Sequence, residues 1–245
     1  MFRYFCADDN IRNNTVNVTG GDARHLKTIL RAGTGDLISV VTESSEYNAE
    51  IMEINKEDII CEIVEEISRN NETKINVTLC QGIPKQTKME TIIQQNVELG
   101  VKSFIPIITE RTVVKLNDKD RERKKLERWR KIAKESSKQS KRNIIPEVED
   151  IVTVKELVER LKNEEAEIIV PYELEDMKIL NDILSEPKQN YYVVIGPEGG
   201  FDIREIEMFK EIGAHIVTLG KRILRTETAG VVAAAVVMYA CNEMV

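Results

Sequence analysis

From Lys74 onward, short apolar runs alternate with segments whose apolar residues recur at helical spacing. "INVTLCQGI" reads as a buried strand, and Met89, Ile92, Ile93 and Val97 then fall on one helical face that Gly100 closes. The alternation continues through strand "SFIPIIT", a charged helix from about Asp120 to Lys138, helix "VKELVERLKN" and strands "EIIVPY" and "YYVVIG". Helix "DIREIEMFKEIG", strand "HIVTLG" and a last helix from about Thr228 complete it. Such an order predicts an α/β domain over residues 74–245, with a mostly parallel sheet covered on both faces.

Residues 1–70 differ. Short alternating segments such as "NTVNVTG", "DLISVVT", "EYNAEIMEIN" and "DIICEIVEEI" predict a small strand-rich domain with one helical insert around "DARHLKTIL". The polar stretch "SRNNETK" reads as the linker.

Charge is unevenly spread. The chain totals −7, yet Lys115 to Arg142 holds 13 Lys and Arg against 5 Asp and Glu, a basic patch on an acidic body. This segment is either a solvated face or one that meets nucleic acid; Trp129, sharing a helical stripe with Leu126, Ile132 and Ala133, favours core packing over base stacking. The four cysteines are isolated, with no C-x-x-C pair and no neighbouring His, so neither a metal site nor a disulfide framework is expected. No apolar run approaches the roughly 20 residues of a membrane span. "FRYFCADDN" lacks the pattern of an export signal, so the expected location is the cytoplasm.

Two strand ends are marked by glycine: "VVIGPEGGF" and "VTLGKRILRTETAG". The first is either a tight turn that binds nothing or a bare loop at a ligand site beyond the carboxyl end of a strand. Asp202 and Glu205 form a capping pair for the helix that follows it. Neither G-x-G-x-x-G nor a Walker loop is present, which disfavours a nicotinamide-dependent oxidoreductase. In the second, Arg222 and Arg225 read either as phosphate or base contacts or as partners for Glu227 and other surface acids. His215 reads as a structural residue, while His25, beside Arg24, Lys27 and Arg31, is either a nucleic-acid contact or part of a solvated helix face.

Taken together, "IGPEGGF", "LGKRILRTETA", "TKMETIIQQNVELGV" and "ERTVVK" resemble the RsmE family of SPOUT-class methyltransferases, and "RYF", "HLKTILRAGTGD" and "YNAEI" resemble that family's PUA-like RNA-binding domain. The resemblance spans nearly the whole chain. It implies a C-terminal SPOUT-type parallel sheet with a deep trefoil knot, a small N-terminal PUA-like β-barrel and a homodimer. The implied reaction is methylation of a uridine N3 in 16S ribosomal RNA of the small subunit, with S-adenosylmethionine as donor. Carried over residue by residue, the cofactor would lie among Tyr172, Glu173, Ile195, Gly196, Pro197, Gly199, Gly200, Leu219, Gly220, Ile223 and Leu224. RNA contacts would come from Arg3, Arg24, His25, Arg31, Arg111, Gln139, Arg142 and Arg222. In "KESSKQSKRNIIP" the chain departs from the family's pattern, with Lys138 and Lys141 where Glu and Gly are common; these lysines are expected to strengthen phosphate attraction. Arg225 is expected to stabilise a developing uridine anion, and Glu227 to orient Arg225 or assist proton removal; "RTETA" reads equally well as a segment that holds the knot together. A non-catalytic RNA-binding assembly factor is the alternative, and binding of S-adenosylmethionine separates the two.

Overall fold

The computed structural model describes residues 2–42, 45–68, 70–114 and 118–244; Arg69 of the linker and residues 115–117 at the start of the basic segment lie outside them. The chain divides into two compact units, 1–72 together with 137–144, and 73–136 together with 145–245. Residues 137–144, which the sequence reading gives to the second domain, thus belong with the first.

The first unit is built on a six-stranded sheet in the order β1-β4-β5-β6-β3-β2. Its strands are β1 (Phe2–Phe5), β2 (Ile11–Arg12), β3 (Thr15–Thr19), β4 (Leu37–Val41), β5 (Glu46–Ile54) and β6 (Asp58–Ile67), with helix α1 (Gly20–Thr28) after β3. Only β1 and β4 pair in parallel; the other neighbours are antiparallel. Leu26 and Ala23 of α1 bury against Val16, Ile38, Val40, Ile51 and Ile59.

Beside this apolar core lies a charged one. The Arg3 guanidinium donates to both oxygens of Glu46, and its Nε donates to Arg142 O at 3.0 Å. Ser39 Oγ at 2.7 Å and Asn143 Nδ2 at 3.2 Å also donate to Glu46. Arg142 in turn pairs with Glu72 at 2.5 Å, and both side chains are almost fully enclosed. Enclosed ion pairs persist only when the remaining donors and acceptors are met, as they are here.

The second unit carries a parallel sheet in the order β10-β8-β7-β12-β11-β13, with β9 on β8. Its strands are β7 (Asn76–Gly82), β8 (Ser103–Ile108), β9 (Glu147–Val148), β10 (Val152–Thr153), β11 (Glu167–Pro171), β12 (Asn190–Ile195) and β13 (His215–Val217). Its helices are α2 (Lys88–Leu99), α3 (Lys119–Gln139, whose last three residues belong to the first unit), α4 (Val154–Leu161), α5 (Leu180–Ile183), α6 (Ile203–Glu211) and α7 (Thr226–Ala240). Central strands read as apolar runs because both faces are covered. Val77, Leu79, Ile169, Val193 and Ile195 enter a core with α2, α3 and α7, whereas Cys80, Ile168, Val170 and Val194 enter a second with α4 and α6.

Local chemistry sets the helix limits. Gly100 caps α2 at φ 102°, and Asp202 with Glu205 forms the expected capping box on α6. A second box, Thr153 with Glu156, starts α4. The last helix begins at Thr226, two residues before the expected start, with Arg225 as its N-cap. The two-residue strands β9 and β10 and the single-turn α5 have no counterpart in the sequence reading, being too short for a period to register. Trp129, Leu126 and Ala133 are buried in the core, and His215 is satisfied by Glu167 at 2.7 Å and Lys178 at 2.8 Å. The cysteines are free, and burial pushes the Cys61 thiol up to about 11. Among the described residues no helix is long and apolar enough to cross a membrane.

Two substitutions test this framework. Arg3→Met strands the Glu46 carboxylate in an enclosed site and is expected to cost about 3–5 kcal/mol in urea denaturation. Gly82→Ala would put a Cβ 2.5 Å from the Pro197 ring and backbone nitrogen; a comparable loss of stability is expected by the same measurement, and a neutral result would mean that the two strand ends separate freely.

Candidate active site

Both glycine-marked turns wall one cleft of about 1030 Å³ at the carboxyl ends of the parallel strands, where open α/β sheets bind ligands. Gly196 to Phe201 follows β12, Thr218 to Thr226 joins β13 to α7, and Pro171 to Asp176 with Ile179 leaves β11. Of the expected cofactor set, Tyr172, Glu173, Gly196, Pro197, Gly199, Gly200, Leu219, Gly220, Ile223 and Leu224 all line it. Ile195 does not: as the last residue of β12 its side chain faces the core, and the cleft begins one residue later. The Tyr172 side chain is likewise buried in the core.

The walls are tied by a buried relay. Thr226 Oγ1 donates to Gly196 O at 2.6 Å, and Gln81 Nε2 donates to Thr226 Oγ1 at 2.9 Å and to Gly82 O at 3.0 Å. The end of β7, the turn after β12 and the first residue of α7 are thereby held to one another.

The glycines serve two purposes. A Cβ on Gly196 would meet Gly200 at 3.1 Å, one on Gly199 would meet Arg111 Cβ at 3.1 Å, and one on Gly200, at φ +67°, would meet Glu173 Oε1 at 2.6 Å. These positions are bare because the protein packs against them. Gly220 at φ +103° has open space around its missing Cβ, so there the backbone conformation alone requires glycine.

Arg225 and Arg222 are exposed on the cleft wall, and among the described residues no partner holds either guanidinium. Glu227 forms no ion pair with Arg225. Its Oε2 lies 3.2 Å from Lys88 Nζ, which also pairs with Glu198 at 3.1 Å. Hydrogen bonds from Lys88 to Glu198, and then to Glu227, raise the Lys88 pKa above its ordinary value. The expected contact between Glu227 and Arg225 is therefore replaced by one with Lys88.

The expected RNA contacts separate by burial. Arg24, His25 and Arg31 are exposed on α1 or just beyond it, and Gln139 is exposed at the end of α3. Arg111 reaches Gly199 O at 2.9 Å on the rim of the glycine turn. Arg3 and Arg142 are buried and committed to Glu46 and Glu72, so in this arrangement they brace the first unit from within. Lys138 is likewise occupied, paired with Asp22 at 2.7 Å and stacked 5.3 Å from the Tyr4 ring, whereas Lys141 is exposed.

Several site residues escape a linear reading. Lys88 left one signal: a lysine at the first position of a helix opposes the helix dipole, an oddity that needs a compensating partner. Glu198 sits inside the glycine turn, where the bare residues on either side carry the sequence signal. Glu175 and Ile179 left none, since a tertiary pairing of Ile179 with Thr218 brings them to the cleft.

A model of an RNA methyltransferase domain matches residues 71–238, and one of an RNA methyltransferase PUA domain matches residues 18–64. Ribosomal RNA small subunit methyltransferase E of Bacillus subtilis is 37% identical over 92% of this chain and 90% of its own length. Its namesake from Aquifex aeolicus is 36% identical over 93% and 95%. The crystal structure of the Neisseria gonorrhoeae protein of that name, bound to S-adenosylmethionine, superposes with a TM-score of 0.87 at 32% identity, covering 98% of this chain and 97% of that one. With both domain models matched and relatives of that name alike over most of its length, the chain belongs to the ribosomal RNA small subunit methyltransferase E family of RNA methyltransferases.

Proposed function

We propose that the chain transfers a methyl group from S-adenosylmethionine to N3 of a uridine in the RNA of the small ribosomal subunit. One observation carries this reading: both glycine-marked turns wall a single cleft and are pinned together by Thr226. At about 1030 Å³ the cleft lies at the upper end of the size range of small-molecule sites. The relatives are named for small-subunit ribosomal RNA, and one similar structure contains S-adenosylmethionine.

The residues present suit that cofactor. Ile179, Leu219, Ile223 and Leu224 offer apolar surface to an adenine, and the backbones of the two turns offer donors and acceptors to a ribose. Glu173 and Glu175 supply carboxylates on a wall that would meet a cation. Once bound, S-adenosylmethionine supplies an electrophilic methyl group on a sulfonium centre. Loss of the uracil N3 proton to solvent water spreads negative charge onto the flanking carbonyl oxygens. Arg225, exposed and uncommitted at the positive end of α7, is suited to donate to such an oxygen as that charge develops. Holding the two reactants in line contributes the rest of the acceleration.

In this reading Arg111 and Arg222 meet RNA beside the cleft, and Arg24, His25, Arg31, Gln139 and Lys141 meet it on the first unit. Arg3 and Arg142 support that surface from beneath. The passage from β13 through Leu219–Arg225 is taken as the closing strand of a trefoil knot. Supporting this, α7 returns from the sheet edge at β13 to pack over the central strands β7 and β12. The apolar α7, with Val236 and Tyr239 exposed, is taken as the face that a second copy covers, and the cytoplasm as the site of action.

Arg225→Ala is expected to leave S-adenosylmethionine affinity within about threefold by calorimetry while methylation of small-subunit RNA falls by about 10²–10³; equal loss of both would reject the assignment. Thr226→Val removes the hydroxyl that joins the walls. A stability loss of about 1–3 kcal/mol and weaker cofactor binding are expected from thermal melts and calorimetry, and unchanged affinity would show that the walls need no such tie.

A further inference from the structure

Three charged side chains meet where α2, the glycine turn and α7 converge. Lys88 Nζ lies 3.1 Å from Glu198 Oε1 and 3.2 Å from Glu227 Oε2. Glu198 also accepts from the Lys85 backbone N–H at 3.2 Å, so this carboxylate is anchored from two sides. The anchoring of Glu227 is different. Its Oε2 is closed to solvent, and among the described residues Lys88 is the one group that meets it, at 3.2 Å.

Two residues away stands Arg225, exposed, with no partner among the described residues. At the same two positions of α6, the N-cap Asp202 and the second helical residue Arg204 do pair, at 2.8 Å, and the planar fork of arginine matches a carboxylate better than a lysine ammonium does. The stronger partner is left free and the weaker one is engaged. Lys88 itself stands at the first position of α2, where the helix dipole disfavours a cation. Departures from local preference of this kind concentrate at functional sites.

We propose that Lys88 is a positioning residue: by holding the Glu227 carboxylate, it keeps Arg225 uncommitted and available to the target base. This rests on the role proposed for Arg225 in methyl transfer. Glu198 completes the device by holding the ammonium between the two acids. The raised pKa of Lys88 agrees with a cation that persists across the physiological range.

If Lys88 is lost, Glu227 is released and captures Arg225. The substitution is then harmful only while position 227 carries a charge. Four proteins test this: K88M, E227Q, the double variant and K88R. Two readouts are used, the rate of phenylglyoxal modification of Arg225 followed by peptide mass spectrometry, and methylation of small-subunit RNA with kcat and KM separated. K88M is expected to slow modification of Arg225 at least threefold and to lower kcat about tenfold, with S-adenosylmethionine affinity by calorimetry little changed. The double variant is expected to match E227Q in both readouts, and K88R to behave like the parent protein. The inference is overturned if Arg225 in K88M reacts at the parental rate, or if K88M is as damaging with Gln at position 227 as with Glu. Failure of the Arg225 role itself would appear separately, as methylation retained in Arg225→Ala, because the modification rates report capture whether or not Arg225 takes part in the reaction.

Discussion

A single hydroxyl, that of Thr226, joins the parts from which the cleft is made. It donates to the carbonyl of Gly196 and accepts from the amide of Gln81, so the first turn of α7 is locked to the ends of β12 and β7. The lock can close because Gly82 and Gly196 carry no side chains: a Cβ on Gly82 would strike Pro197 at 2.5 Å, and one on Gly196 would crowd Gly200 across its own turn at 3.1 Å. Buried polar groups are costly unless paired, and this relay pairs the Gly196 and Gly82 carbonyls and the Gln81 amide N–H while leaving the outer face of both loops to the cleft. The cleft follows from the way two strand ends and the start of a helix are tied.

Charge is handled by the same economy. The chain is acidic overall, yet its arginines are divided between two tasks by burial. Arg3 and Arg142 are enclosed and matched to Glu46 and Glu72, where removing one partner would leave an uncompensated charge. Arg24, Arg31, Arg222 and Arg225 keep their guanidinium groups in solvent, where long-range attraction for phosphate is available and screened by salt. Lys138 and Lys141, three residues apart, fall on opposite sides of that division, one against Asp22 and Tyr4 and the other exposed.

Much of the second unit was legible along the chain because its signals are local. Apolar runs bounded by glycine gave the central strands, the spacing of Met89, Ile92, Ile93 and Val97 gave α2, and Asp202 with Glu205 gave the start of α6. The two glycine turns announced themselves in the same way. The partners of individual charges were not legible. Arg142 reads as an RNA contact until Glu72, some seventy residues earlier, is found beside it, and Glu227 reads as a partner for Arg225 until α2 delivers Lys88.

The amino-acid order by itself determined the succession of strands and helices, the bare turns at positions 196–200 and 220, and the family resemblance those turns carry. Each depends on residues within a few positions of one another, through period, backbone freedom or capping. Only the tertiary structure decided that the two turns share one cleft, that Ile195 faces inward, and that Lys88 rather than Arg225 holds Glu227. Those outcomes depend on which strands lie side by side, and the β7-β12-β11-β13 order brings together groups that a linear reading leaves more than a hundred residues apart.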